Sequence, residues 1–421
     1  RVARALPELP QISAAFGLHL FSMLGIPVST SQAIVGAIIG WNLFAGARTD
    51  FDTISKITMT WVLCPVLSAI TAVLLYKATS RVLLWGKPHL LTLDAITRLA
   101  LILAGAFGAY SLGANNIANV MGVFVPSTPF MDLQIGGFTL TGVQQLFLLG
   151  AVAIAVGIFT YSKRVMMTVG SSLMPLTPVA AWVVVMSHSI VLFLFASEGL
   201  EFFLANNGLP TVPLVPVSSS QAVVGAVIGI GLLKGGAQLD WKVAGRIASG
   251  WITTPIIAAL VSVLSLFVLQ NVFMQLVSEP IKYQVGEAVI EQLRSEQAPA
   301  KGLQVLHEEV FDSAADLSRA IEKTGLDSRA SERVLDLARL EPLTVDMSRL
   351  SVEHRDQLGA SQLAALEQLN SNSYQHVWQL KQALAALSPD WQEMEEMVIN
   401  KRHNRKIREQ ISLLSEVFRS E

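Results

Sequence analysis

The chain holds 421 residues, of which 52% are hydrophobic and 15% charged, with a mean hydropathy of +0.50 and a formal net charge of −2 at pH 7. Neither a nucleic-acid partner nor an acidic substrate follows from so small a net charge, and a single cysteine, Cys64, excludes an intrachain disulfide. The averages hide two regimes. From Ile12 to about Ser278 charges are sparse and confined to short loops, while from Glu279 to Glu421 they are dense and apolar residues recur at helical spacing. The expected architecture is all-α: a polytopic membrane domain over residues 1–278, then a soluble helical domain over residues 279–421.

The chain begins with Arg1, without a signal-peptide layout, and reads as a piece of a longer protein. An apolar run from Ser13 to Ile26 meets the hydroxyl-rich Ser29, Thr30, Ser31 and Gln32, and the apolar helix after them fades at Ala45-Gly46-Ala47-Arg48. Each arm is shorter than the roughly 20 residues that cross a bilayer, so a re-entrant hairpin with the serines at its tip is expected. Ile57 to Tyr76 is long enough to span, and Lys77, Arg81 and Lys87 after it read as a cytoplasmic basic loop. Ala95 to Phe124 is apolar but interrupted by Gly113-Ala114-Asn115-Asn116-Ile117-Ala118-Asn119, which predicts a broken helix with Asn115, Asn116 and Asn119 at the break. Val143 to Thr160 leads to a second basic loop at Lys163-Arg164, so the loop from Pro126 to Gly137 should face outward. Leu173 to Ala196 carries Pro175 and Pro178 near its start and one histidine, His188, that reads as packed or cavity-lining. Glu198 and Glu201 open a loop without basic residues, and Asn206-Asn207-Gly208, Pro210, Pro213 and Pro216 lead onward.

What they lead to is a second copy of the first serine stretch. Pro216-Val217-Ser218-Ser219-Ser220-Gln221-Ala222-Val223-Val224-Gly225-Ala226-Val227-Ile228-Gly229 matches the segment from Pro27 to Gly40 at eleven of fourteen positions, at a constant offset of 216 − 27 = 189. Trp61-Val62-Leu63-Cys64-Pro65 aligns with Trp251-Ile252-Thr253-Thr254-Pro255 through its tryptophan and proline, so the repeat runs on into the apolar segment from Ala248 to Val277, beyond Lys234, Lys242 and Arg246. Each serine copy reads as a helix start inside apolar sequence: a proline, capping hydroxyls, then Ala, Val, Ile and Gly. Free N–H groups at such a start, with the positive end of the helix dipole, bind anions, and hydroxyls add donors there. Two related copies point to a transporter built from repeats, with broken or re-entrant helices meeting at a midplane site. Whether Val217 to Leu233 crosses or re-enters decides the side of the tail, and both stay open.

In the tail, Gly325 with Asp327 or Ser328, and Ser388-Pro389-Asp390, mark helix stops and starts. Lys401-Arg402-His403-Asn404-Arg405-Lys406 reads as a solvated helix face before it reads as a lipid contact or a partner for Glu393, Glu395 and Glu396. His307, Glu308 and Asp312 share helical proximity, but a solvated face outweighs a metal site. No nucleophile elbow, P-loop or metal-ligand cluster stands in the membrane region, so no catalytic residue, metal or cofactor is expected and the chain is not read as an enzyme.

The asparagine segment resembles the Gly-Ala-Asn-Asp-x-Ala-Asn motif of the PiT family of inorganic phosphate transporters, and the serine stretches resemble that family's second pair of motifs. The resemblance covers roughly Ser13 to Val277. It implies an ion-coupled secondary transporter with two inverted repeats, a multi-pass protein of the cell membrane (the inner membrane in a bacterium), that takes up phosphate by symport with sodium or protons. By motif matching, Ser29, Thr30, Ser31, Ser218, Ser219 and Ser220 would bind substrate; Asn115, Asn116, Asn119, Gln32 and Gln221 would bind substrate or cation. The family's first asparagine motif is expected upstream of Arg1. One departure is that Asn116 stands where the family has aspartate. A carboxylate accepts a hydrogen bond from protonated phosphate, which sulfate cannot offer, so sulfate stays open as a substrate. An anion channel or a membrane scaffold for the tail, a tail resembling the PhoU type, and self-association also stay open.

Overall fold

The structure is a computed structural model that describes residues 9–419 except 48, 50, 126, 127, 213, 276, 278–280, 300, 301, 352, 353, 356 and 396. Expectations attached to Arg1, Arg48, Pro126, Pro213, Ser278, Glu279, Glu396 and Glu421 lie outside the described residues. The chain divides into two compact units, Arg1–Phe44 with Thr49–Ser278 and Ala45–Arg48 with Glu279–Glu421.

In the first unit, α1 (Leu9–Met23) and α2 (Thr30–Ala45) are two short arms joined at the first serine stretch. Gly25, at φ 69°, turns the chain out of α1: its N–H donates to the Ser22 carbonyl and that of Ile26 to the Phe21 carbonyl, the paired bonds of a Schellman stop. Ala14 of α1 packs with Ala33, Ile34 and Ala37 of α2. The arms thus lie side by side with the serines at their junction.

Next come α3 (Phe51–Gly86), α4 (Leu90–Met121), α5 (Gly142–Met167), α6 (Pro178–Ala196), α7 (Glu198–Asn206), α8 (Ser219–Leu233) and α9 (Trp241–Asn271). Among the described residues, five stretches are long and apolar enough to cross a membrane: Thr53–Gly86, Leu90–Phe124, Gly142–Ser172, Pro178–Ala196 and Trp241–Asn271. Their outward faces carry bare apolar side chains, as at Ile102 (69% exposed) and Phe159 (90%), which suits lipid rather than water. Inside the unit α8 lies along α3, α4 along α6 and α1 along α9.

Three expectations are corrected here. The helix α4 runs unbroken through Gly113 to Asn119 and tightens only at the 3₁₀ turn Gly122–Phe124. Asn115 and Asn119 bond to other segments, and Asn116 turns its Nδ2 onto the Leu112 carbonyl one turn back (3.1 Å), sharing an acceptor of the helical ladder without interrupting the helix. Lys77 and Arg81 lie inside α3, and Lys163 and Arg164 inside α5, not in loops. Lysine and arginine propagate a helix well and no breaker intervenes before Gly86 or Met167, so both spans extend beyond the hydrocarbon thickness. Between α4 and α5, β1 (Leu133–Ile135) pairs with β2 (Phe138–Leu140) across Gly136-Gly137, whose positive φ values of 55° and 88° suit a tight hairpin.

The second unit is not purely helical. It reads β3 (Tyr283–Gln284), α10 (Glu287–Ser295), β4 (Val310–Phe311), α11 (Ala314–Glu322), α12 (Ser328–Ala338), then β5 (Leu343–Thr344), α13 (Ala360–Gln368), β6 (Ser373–Tyr374), α14 (Val377–Leu387) and α15 (Lys401–Val417). The order strand, helix, strand, helix, helix occurs twice. In each half the strands pair antiparallel, Tyr283 facing Phe311 and Leu343 facing Tyr374, and each half closes its own core. Leu293, Leu317 and Val334 fill the first core; Leu366, Leu380, Trp391 and Phe418 fill the second. His307 pairs with Glu287 at 3.2 Å, and no group of three metal-capable side chains occurs among the described residues. In the basic stretch Arg405 pairs with Glu409 (2.9 Å), while Arg408 just beyond it and Lys381 both reach Glu393. Hydrogen bonds from Arg333 hold the Glu296 carboxyl below its ordinary pKa.

Candidate functional site

The two serine stretches, 189 residues apart in sequence, meet on one helix. Asn119 of α4 donates Nδ2 to Ser31 Oγ of the first tip at 3.2 Å. One turn earlier on α4, Asn115 donates Nδ2 to the Val217 carbonyl (2.7 Å) and accepts the Val217 N–H at Oδ1 (3.1 Å), gripping the second tip. Four residues along a helix rise about 6 Å, so the two tips lie about that far apart along α4.

Both tips are helix N-termini with the same local chemistry. Ser29 Oγ accepts the Gln32 N–H (3.3 Å) and caps α2; Ser218 Oγ accepts the Gln221 N–H (3.2 Å) and caps α8. Ser218 Oγ also lies 3.1 Å from Ser220 Oγ. Ser29, Ser31 and Ser218 are buried; Thr30, Ser219 and Ser220 are half-buried. Gln32 and Gln221 sit at the third helical position of each copy, and in both the buried Oε1 has no hydrogen-bond partner. A glutamine carbonyl enclosed without a donor is costly, and its repetition at equivalent positions suits ligation of a cation or water. Asn116, half-buried, keeps its carbonyl oxygen clear of its bond to Leu112. His188 is half-buried on α6, between Ser187 and Ser189, whose hydroxyls bond the Val183 and Val185 carbonyls.

The scaffold that brings the tips together is reciprocal. A Cβ placed on Gly225 or Gly229 of α8 would run into the backbone of Pro65 or Ala69 on α3, and one on Gly36 or Gly40 of α2 into the backbone of Pro255 or Ala259 on α9. Each serine helix thus rests, through a Gly-x-x-x-Gly face, on the proline-bearing span that belongs to the other copy of the repeat. Further holds come from residues with no forecast role: Trp251 Nε1 donates to the Pro27 carbonyl (3.1 Å), Thr168 Oγ1 to the Gly25 carbonyl (2.7 Å) and Cys64 Sγ to the Ser218 carbonyl (3.5 Å). The matched tryptophans and prolines were a sequence signal for these contacts; Thr168 left none.

Residues 11–262 and 205–386 match the phosphate transporter family, the second stretch running past Val277 into the tail. A protein of Methanocaldococcus jannaschii named as a phosphate permease is 27% identical over 59% of this chain and 71% of its own length. One from Thermococcus kodakarensis, named likewise, is 24% identical over 60% and 75%. Sodium-dependent phosphate transporter 1 of Xenopus tropicalis is 26% identical over 38% of this chain and 21% of its own. A solved sodium-dependent phosphate transporter is 22% identical at a TM-score of 0.49, covering 63% of this chain and 79% of that one. The first family match alone spans more than half of the residues, and with its membrane-spanning helices the chain is a multi-pass membrane protein of the phosphate transporter family.

Proposed function

We propose that the chain carries inorganic phosphate across the cell membrane by symport with sodium, at a site between the two serine tips. The observation that supports this most is their convergence on Asn115 and Asn119. It places two helix N-termini, with their free N–H groups and serine hydroxyls, around one stretch of α4. Phosphate would take the hydroxyls of Thr30, Ser31, Ser219 and Ser220; the cation would take the carbonyl oxygens of Asn116, Gln32 and Gln221, which no donor occupies among the described residues. Oxygen ligands of this kind suit a hard cation. Sodium is favoured over protons by the sodium-dependent relative, and the two copies of the repeat would act as inverted halves. Residues 279–421 would modulate transport rather than carry it.

Reconstituted in lipid vesicles, the protein should take up labelled phosphate in proportion to an inward sodium gradient, and a pH gradient without sodium should drive none. Uptake driven by pH alone would move the coupling ion to the proton, and no phosphate uptake under either gradient would overturn the reading.

Asn116→Asp should raise phosphate uptake relative to competing sulfate and steepen its sodium dependence. The carboxylate accepts from a protonated phosphate and adds a negative charge at the proposed cation site. Unchanged competition and unchanged sodium dependence would leave Asn116 as a helix residue only.

A further inference from the structure

Of the three asparagines on α4, Asn115 is the one whose polar atoms are spent. Its Nδ2 donates to the Val217 carbonyl at 2.7 Å and its Oδ1 accepts the Val217 N–H at 3.1 Å, and both residues are buried, at 6% and 0% exposure. The double bond fixes the amide orientation, since a flipped amide would set donor against donor and oxygen against oxygen. Val217 stands one residue ahead of the Ser218 cap, at the end of the irregular segment after α7. Its N–H and carbonyl precede the helix and have no place in the helical ladder, so a side chain must satisfy them.

The comparison between tips shows why this grip matters. At the first tip the Pro27 carbonyl is held by the Trp251 indole. At the second tip the matching tryptophan, Trp61, keeps its buried Nε1 without a partner. The backbone of the second tip is therefore fixed from other helices by Asn115 and by the weaker thiol bond from Cys64 to Ser218, among the described residues.

We propose that Asn115 is a positioning residue, a two-point latch that seats the second serine tip by closing on the Val217 backbone, and that it does not itself contact the transported ions. The latch rests on the transport reading above only for its consequence; the seating of the tip stands apart from what is carried. The test uses Val215→Cys as a reporter two residues ahead of the latch, in a Cys64→Ser background that keeps a donor toward the Ser218 carbonyl. The rate of modification by a membrane-impermeant thiol reagent is read in vesicles without phosphate or sodium.

Asn115→Leu, similar in size and without polar atoms, and Asn115→Asp, which keeps the acceptor and loses the donor, should each raise that rate about tenfold to a hundredfold and lower the melting temperature, because buried polar groups of Val217 lose their partner. If the leucine variant does not assemble, the aspartate variant decides. Unchanged modification in the absence of ions, together with weakened phosphate affinity, would make Asn115 an ion ligand and overturn the latch. Failure of the parent chain to move phosphate would overturn the transport reading and leave the modification result standing.

Discussion

Gly225→Leu and Gly36→Leu will each leave little assembled protein, while Gly157→Leu will behave like the parent. A Cβ at residue 225 would overlap the Pro65 backbone and one at residue 36 the Pro255 backbone; at residue 157 nothing lies within 4 Å. Overpacking a core costs about 1–3 kcal/mol when neighbouring side chains can turn aside. Here the neighbour is main chain, held in α3 or α9, so the helices must part, and with them the cap and carbonyl contacts at the tip. Against a total stability of about 5–15 kcal/mol for a typical protein, that loss is large. The amount of monodisperse protein in detergent and its melting temperature measure it. Gly225→Leu with the yield and melting temperature of Gly157→Leu would show that the reciprocal packing is not what holds the tips together.

The same packing explains what the sequence disclosed and what it withheld. Mean hydropathy and the length of apolar runs are set by the solvent, so the spans from Ile57, Ala95, Val143, Leu173 and Ala248 could be read directly; the first three lie within helical stretches of the structure, whereas the fourth becomes helical only at Pro178 and the fifth leaves its helix at Asn271. Helix ends were less legible. Lys77, Arg81, Lys163 and Arg164 suggest loops when charge marks the edge of the membrane, whereas a helix continues into water until a breaker stops it. The asparagine motif misled for a related reason. Asparagine favours helix ends when its amide competes for local backbone groups, but the amides of Asn115 and Asn119 are engaged by segments about 100 and 90 residues away in the chain, and no local pattern encodes that. The tail shows a third limit. Its paired strands are two residues each, too short for alternation to register, so the doubled strand and helix order emerged only from the pairing of Tyr283 with Phe311 and Leu343 with Tyr374.

The serine tips were legible because a repeat of fourteen positions needs no alignment beyond the chain itself. That each serine helix would rest on the span of the other copy was not, since identity between copies says which residues are equivalent and nothing about which touch. The division of labour inside one tip was hidden too. Ser218 and Ser220 look alike in sequence, yet only Ser218 caps the helix, and this separates their expected phenotypes.

Ser220→Ala should raise the KM for phosphate about tenfold to a hundredfold and leave the melting temperature alone. A hydrogen bond to a charged group contributes about 1.5–3 kcal/mol, and each 1.4 kcal/mol is about a factor of ten. Ser218→Ala should raise KM by a similar factor and also lower the melting temperature, because Ser218 Oγ accepts the Gln221 N–H at 3.2 Å and loss of such a cap costs about 0.5–2 kcal/mol. The buried N–H of Gln221 is then left without its acceptor, so α8 should fray at the end that faces the site. Ser220 bears no such duty: among the described residues its hydroxyl bonds to Ser218 Oγ alone, at 3.1 Å, either hydroxyl being able to donate. Uptake kinetics and thermal unfolding of both variants, measured on the same preparations, separate the two roles. Parent-like KM in both would move the phosphate site away from the second tip. A lowered melting temperature with parent-like KM in Ser220→Ala would make that hydroxyl a part of the cap instead of a ligand.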